Sequence, residues 1–89
     1  MSQRFIDSSF SREGRYSLGK DVQKNIHYLS IPVSNQAADY EEYYQITASQ
    51  FVDYSGNGAA ALIFANACRA RKHDDLLILA PGSVRGVPA

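Results

Sequence analysis

Asp39-Tyr40-Glu41-Glu42-Tyr43-Tyr44-Gln45-Ile46-Thr47-Ala48-Ser49-Gln50 decides how this chain folds. Its first half reads as a strand. Side chains in a strand alternate between two faces, so Tyr40, Glu42, Tyr44 and Ile46 share one side, and Glu41, Tyr43, Gln45 and Thr47 the other. Tyr44 and Ile46 are expected in the core, Glu41 and Gln45 in water. The second half starts a helix. Thr47-Ala48-Ser49-Gln50 fits a capping box, in which the Thr47 hydroxyl and the Gln50 side chain each satisfy an orphan backbone N–H. Ile46 and Phe51 stand where a hydrophobic staple would place them, and loss of the Thr47 oxygen should cost about 1 kcal/mol.

Downstream, Ser55-Gly56-Asn57-Gly58 interrupts the helix, because two glycines penalise a continuous helix by roughly 2 kcal/mol against alanine. A second helix is predicted from near Asn57 to Arg71 or Lys72. Ala59 to Cys68 is apolar almost all round, as in a helix buried on most sides or lying on a partner. Arg69, Arg71 and Lys72 complement the negative end of its dipole. Leu76-Leu77-Ile78-Leu79 is a short apolar run, read as a strand buried on both faces. Ala80 to Ser83 is a turn, and residues 81–89 form a flexible tail.

Upstream, Asn25 to Val33 reads as a strand with Leu29, Ile31 and Val33 on one face and Ile26, Tyr28 and Ser30 on the other. Pro32 lacks an N–H, which suits an edge or an end. A shorter strand is expected at Arg15–Leu18, closed by the turn Gly19-Lys20-Asp21. Residues 1–13 are polar and rich in serine, and are read as mostly flexible, with Phe5, Ile6 and Phe10 able to tack them onto the domain.

These elements predict an α+β domain over residues 14–80. Its order is β-β-β-α-α-β: a small mixed or antiparallel sheet of three to four strands with a broken helical pair on one face. A right-handed crossover would set the last strand parallel to the third. The other face would carry Tyr28, Tyr43 and Glu41, either wet or in an interface.

Composition narrows the function classes. The 89 residues carry nine Lys and Arg against nine Asp and Glu. A net charge of zero argues against a nucleic-acid binder that works by phosphate neutralisation. The charge is unevenly spread: between Lys24 and Arg69 there is no Lys or Arg, while Asp39, Glu41, Glu42 and Asp53 fall in that segment. One cysteine, Cys68, excludes an internal disulfide and suits a reducing compartment. The longest apolar run, Ala59–Ala65, has seven residues, against about 20 for a membrane span. With no signal-peptide pattern in view, the expectation is a cytoplasmic protein.

Four groups bear on chemistry. Tyr40, Glu41 and Tyr43 belong to an acidic, tyrosine-rich stripe of the kind enriched at interface hot spots, although such rings are also good strand formers. Glu41 and Glu42 point to opposite faces and so cannot serve as an acid–base pair. Cys68 with His73, Asp74 and Asp75 contains the residue types of a nucleophile or metal site, but without the spacing of either. A helix C-terminus also raises a thiol pKa. Ser55-Gly56-Asn57-Gly58 precedes a helix as an anion loop would, but it fits neither phosphate-binding glycine pattern and reads better as an inter-helix turn with Asn57 as N-cap. Arg12, Arg15, Lys20 and Lys24 would make a basic patch if the fold brought them to Arg69, Arg71 and Lys72, but the aromatics an RNA site needs lie mostly among the acids.

The leading expectation is a non-enzymatic, bacterial-style interaction protein that uses Tyr40, Glu41 and Tyr43 against a basic protein partner. An immunity-type or antitoxin-like inhibitor is one concrete form. The alternatives are a self-associating structural domain pairing through Ala59–Cys68, and an enzyme or metal site around Cys68, His73 and Asp74. No cofactor is implied.

Overall fold

A computed structural model describes residues 3–36, 38–81 and 85–88. The fold is α+β. Strands β1 (Phe5–Ser11), β2 (Tyr16–Asp21), β3 (Ile26–Ser34) and β4 (Asp39–Ile46) form an antiparallel sheet in chain order. Helices α1 (Ala48–Gly56) and α2 (Gly58–Arg69) follow, and a short β5 (Val87–Pro88) pairs with the far end of β3. Among the described residues no helix is long and apolar enough to cross a membrane.

The β4–α1 junction forms as its sequence dictates. Gln50 N–H donates to Thr47 Oγ1 at 3.0 Å, and Thr47 N–H to Gln50 Oε1 at 2.8 Å. Asn57 caps α2 by accepting from Ala60 N–H. The helices cover the sheet face of Leu18, Leu29, Ile31, Val33, Tyr44 and Ile46, against which α2 packs Ala61, Phe64, Ala65 and Cys68. Only that side of α2 is buried. Ile63 stands 73% exposed, so the helix is less enclosed than its composition suggests.

Besides Gly19-Lys20-Asp21, expected as a turn and found within β2, three features depart from the sequence reading. The first is β1, which lies inside the segment read as mostly flexible. A β-bulge between Asp7 and Ser9 explains why its alternation was hidden. Directly opposed residues share a face. Phe5 opposes Asp21, Asp7 opposes Gly19 and Phe10 opposes Ser17, so all three project from one side. An odd spacing of five between Phe5 and Phe10 would place them on opposite sides of a regular strand; the extra residue restores the phase.

The second is Leu76–Leu79. The crossover and the parallel strand do not form. Asp74–Leu76 is a 3-10 turn, and Leu77 makes one antiparallel bridge to Tyr44, with Ile78 N–H donating to the Tyr43 carbonyl at 2.9 Å. An unbroken apolar run reports burial and not backbone conformation. Leu76 and Leu77 do pack against the core, while Leu79 is exposed. The third is the tail, of which Gly82, Ser83, Val84 and Ala89 lie outside the described residues. Arg85–Pro88 is tied down, with Val87 and Pro88 paired to Ser34 and Val33.

Candidate interaction surface

Glu41 and Tyr43 leave β4 on the face opposite the helices, with Tyr28 and Ser30 of β3 and Phe5 and Asp7 of β1. Gly19 of β2 makes this grouping possible. A β-carbon there would collide with the Ile6 carbonyl oxygen and stand 2.5 Å from Tyr28 Oη. Without one, the Tyr28 ring lies across β2 and its hydroxyl donates to Asp7 Oδ1. Tyr28 is 0% exposed although it sits on the face without helices. Phe5 and Tyr43 cover it, each edge-on at 5.6 and 4.9 Å, and stack on one another at 3.8 Å. Arg4 lies over the Phe5 ring at 4.9 Å while its Nε and Nη2 donate to the Asp21 carboxylate at 3.0 and 2.9 Å.

Two further carboxylates beside this ring cluster, Glu41 and Asp7, make no ion pair among the described residues. Ser30 Oγ donates to Glu41 Oε1 at 3.0 Å. Arg15 shares a groove over Pro32 with Glu41. Burial raises the Glu41 pKa; the Ser30 bond lowers it, and the Asp7 charge raises it further. Burial and the charges of Glu41 and Asp7 raise Tyr43 as well.

Tyr40 goes elsewhere. It faces the helix side, where its hydroxyl accepts from Gly86 N–H at 2.7 Å. Tyr40, Glu41 and Tyr43 meet at the edge of β4, along a cleft of about 200 Å³ that Leu79 and Pro81 also line. Glu42, 5% exposed, is a buried polar anchor on the helix side. It accepts from Tyr44 Oη at 2.8 Å, from Arg71 Nη1 at 3.2 Å and from Arg85 Nε at 2.8 Å. Arg85 also bridges to Asp74 at 2.9 Å, and Arg71 Nη2 donates to the Gly86 carbonyl. Burial pushes the Glu42 pKa up, but the bonds from Arg85 and Tyr44 outweigh it and hold the group low. This knot was in principle legible, since Glu42 shares the core-facing phase of β4 with Tyr44.

The basic ends of the chain are divided: Arg12, Arg15, Lys20, Lys24 and Lys72 stay exposed, Arg69 comes close enough to Arg15 to feel its charge, and the others bond within the fold. Arg4 serves Asp21, Arg71 and Arg85 serve Glu42, and Arg69 donates to the carbonyls of Gly14 and Arg15. Arg71 occupies the left-handed region at φ 63°. Its N–H donates to the Cys68 carbonyl and that of Lys72 to the Ala67 carbonyl, a Schellman closure of α2 that usually places glycine there. Cys68 is buried, which pushes its thiol pKa up to about 12 and keeps it protonated at neutral pH. His73 stacks on Phe64 at 4.7 Å. Among the described residues no group of three or more His, Cys, Asp or Glu is placed to hold a metal.

Comparison with family models, with curated proteins and with solved structures finds no match for this chain.

Proposed function

We propose that this is a protein-interaction domain, without catalytic chemistry of its own, that binds a basic partner in the cytoplasm through the helix-free face of its sheet. The supporting observation is the pair of uncompensated carboxylates, Asp7 and Glu41, set beside the Phe5–Tyr28–Tyr43 ring cluster. Tyrosines with a large apolar body and a polar tip favour interfaces, and Phe10, 65% exposed, extends the apolar surface on the same face. An immunity-type or antitoxin-like inhibitor would use such a surface against a basic enzyme. Tyr40 contributes at the β4 edge and not on this face.

The test compares Glu41→Lys with Asp53→Lys, the same charge change on exposed α1. Quantitative affinity capture should find a protein held by the wild type and Asp53→Lys and lost by Glu41→Lys. Identical capture by all three would overturn the reading. Self-association is a second reading, favoured by Val52 at 71% and Ile63 at 73% exposure on the helices. It requires a dimer in sedimentation that Ile63→Glu abolishes; a strictly monomeric wild type ends it.

A further inference from the structure

The open face already holds one guanidinium. Arg4 lies over one side of the Phe5 ring and makes two bonds to the Asp21 carboxylate. The other side of Phe5 stacks on Tyr43. The row therefore runs Arg4, Phe5, Tyr43, with Tyr28 edge-on beneath both rings. At the Arg4 end, a carboxylate and an aromatic ring share one guanidinium, an arrangement that uses charge-assisted bonding and cation–π attraction together. At the Tyr43 end the same two components recur. Glu41 lies two residues from Tyr43 on the same face of β4. The side of Tyr43 turned away from Phe5 has no ring or cation against it among the described residues. Asp7 adds a second negative charge that both Glu41 and Tyr43 feel.

We infer that this end of the row is an arginine-binding site, which takes a guanidinium from a basic protein segment with Glu41 as its carboxylate and Tyr43 as its ring. The inference deepens the proposed function and rests on it. Arginine is specified over lysine because a planar guanidinium can stack on a ring and fork onto a carboxylate at once, while an ammonium is a more strongly hydrated point charge. Asp7 supplies field at this end of the row, where Glu41 and Tyr43 both feel its charge.

The test is a nitrogen-15 NMR titration of the intact chain with three capped pentapeptides, Gly-Xaa-Gly-Xaa-Gly, where Xaa is arginine, lysine or citrulline. Arginine should move the amides of Ser30, Glu41 and Tyr43 saturably. Lysine should bind several-fold more weakly, and citrulline, which keeps the shape and lacks the charge, should not bind. Glu41→Gln should weaken the arginine peptide about tenfold, as expected for loss of a charge-assisted bond. Tyr43→Leu should erase the preference for arginine over lysine, with the dispersion of its spectrum showing that it is folded. Equal binding of arginine and lysine overturns the inference, as do shifts centred elsewhere or no shifts. If Glu41→Lys still loses its cellular partner in that case, the interaction surface stands and only the arginine chemistry falls. If arginine binds here but Glu41→Lys keeps every partner, the site stands and the proposed function falls.

Discussion

The two faces of β4 carry adjacent glutamates with opposite fates. Glu42 is buried on the helix side among two arginines and a tyrosine hydroxyl, and its pKa is held low. Glu41 is half-buried on the open side with one serine hydroxyl, and its pKa is raised. One face of the strand has matched its charge internally and the other has not. A buried charge that is fully bonded holds elements in register, and here it fastens α2, the 3-10 turn and the chain near Gly86 to the sheet. A half-buried carboxylate with no cation is costly to the fold, which is why it is the better indicator of binding.

The largest expected effect comes from breaking the matched side. Glu42→Ala should cost about 3 kcal/mol, the lower end for removing one partner of a buried pair, because Arg71 and Arg85 retain some contact with water. Chemical denaturation measures it. A loss under about 1 kcal/mol would put the knot in the class of surface pairs and remove the contrast. The variant should also release Arg85–Pro88, seen as faster amide exchange at Gly86.

Gly19→Ala acts on the other side. The new β-carbon meets the Ile6 backbone and the Tyr28 ring. The expected loss is about 2 to 3 kcal/mol from overpacking, with the Phe5–Tyr43 stack displaced. Unchanged stability would show that Tyr28 need not lie across β2. Gly19 also marks where the sequence misleads. Gly19-Lys20-Asp21 has the composition of a turn, yet it lies within β2, because the glycine serves a crossing ring and Asp21 organises the turn after it. The central part of the fold was legible: β3, β4 and the Thr47 cap follow alternation and side-chain chemistry between near neighbours. β1, β5 and the assembly of the open face were not. A bulge shifted the phase of β1, β5 pairs with a strand over fifty residues earlier, and the grouping of Phe5 and Asp7 with Tyr43 depends on a cross-sheet register that no local window contains. Glu41 and Tyr43 could be singled out from β4 alone. Phe5 and Asp7 could not, whereas strand alternation alone sets Tyr40 on the other side of β4, where its hydroxyl accepts from Gly86 N–H.

The smallest effect is the most discriminating. Glu41→Gln removes the raised group and keeps an oxygen for the Ser30 hydroxyl. A carboxyl with a raised folded pKa is easier to protonate in the folded chain than in the unfolded one, so its ionisation opposes folding. Wild-type stability should therefore gain from Glu41 as pH falls through its folded pKa. Glu42 works in the opposite direction: its contribution is present above the ordinary value of 4.5 and is lost as pH falls through its lowered pKa. At neutral pH Glu41→Gln should be as stable as the wild type or more so, by less than about 1 kcal/mol, since solvent screens a half-exposed group. The difference between the two should shrink on acidification, as Glu41 becomes protonated in the wild type. A Glu41→Gln chain less stable than the wild type at neutral pH would mean that the carboxylate is matched within the fold after all. The open face would then lose one of the two carboxylates on which its offer to a partner rests.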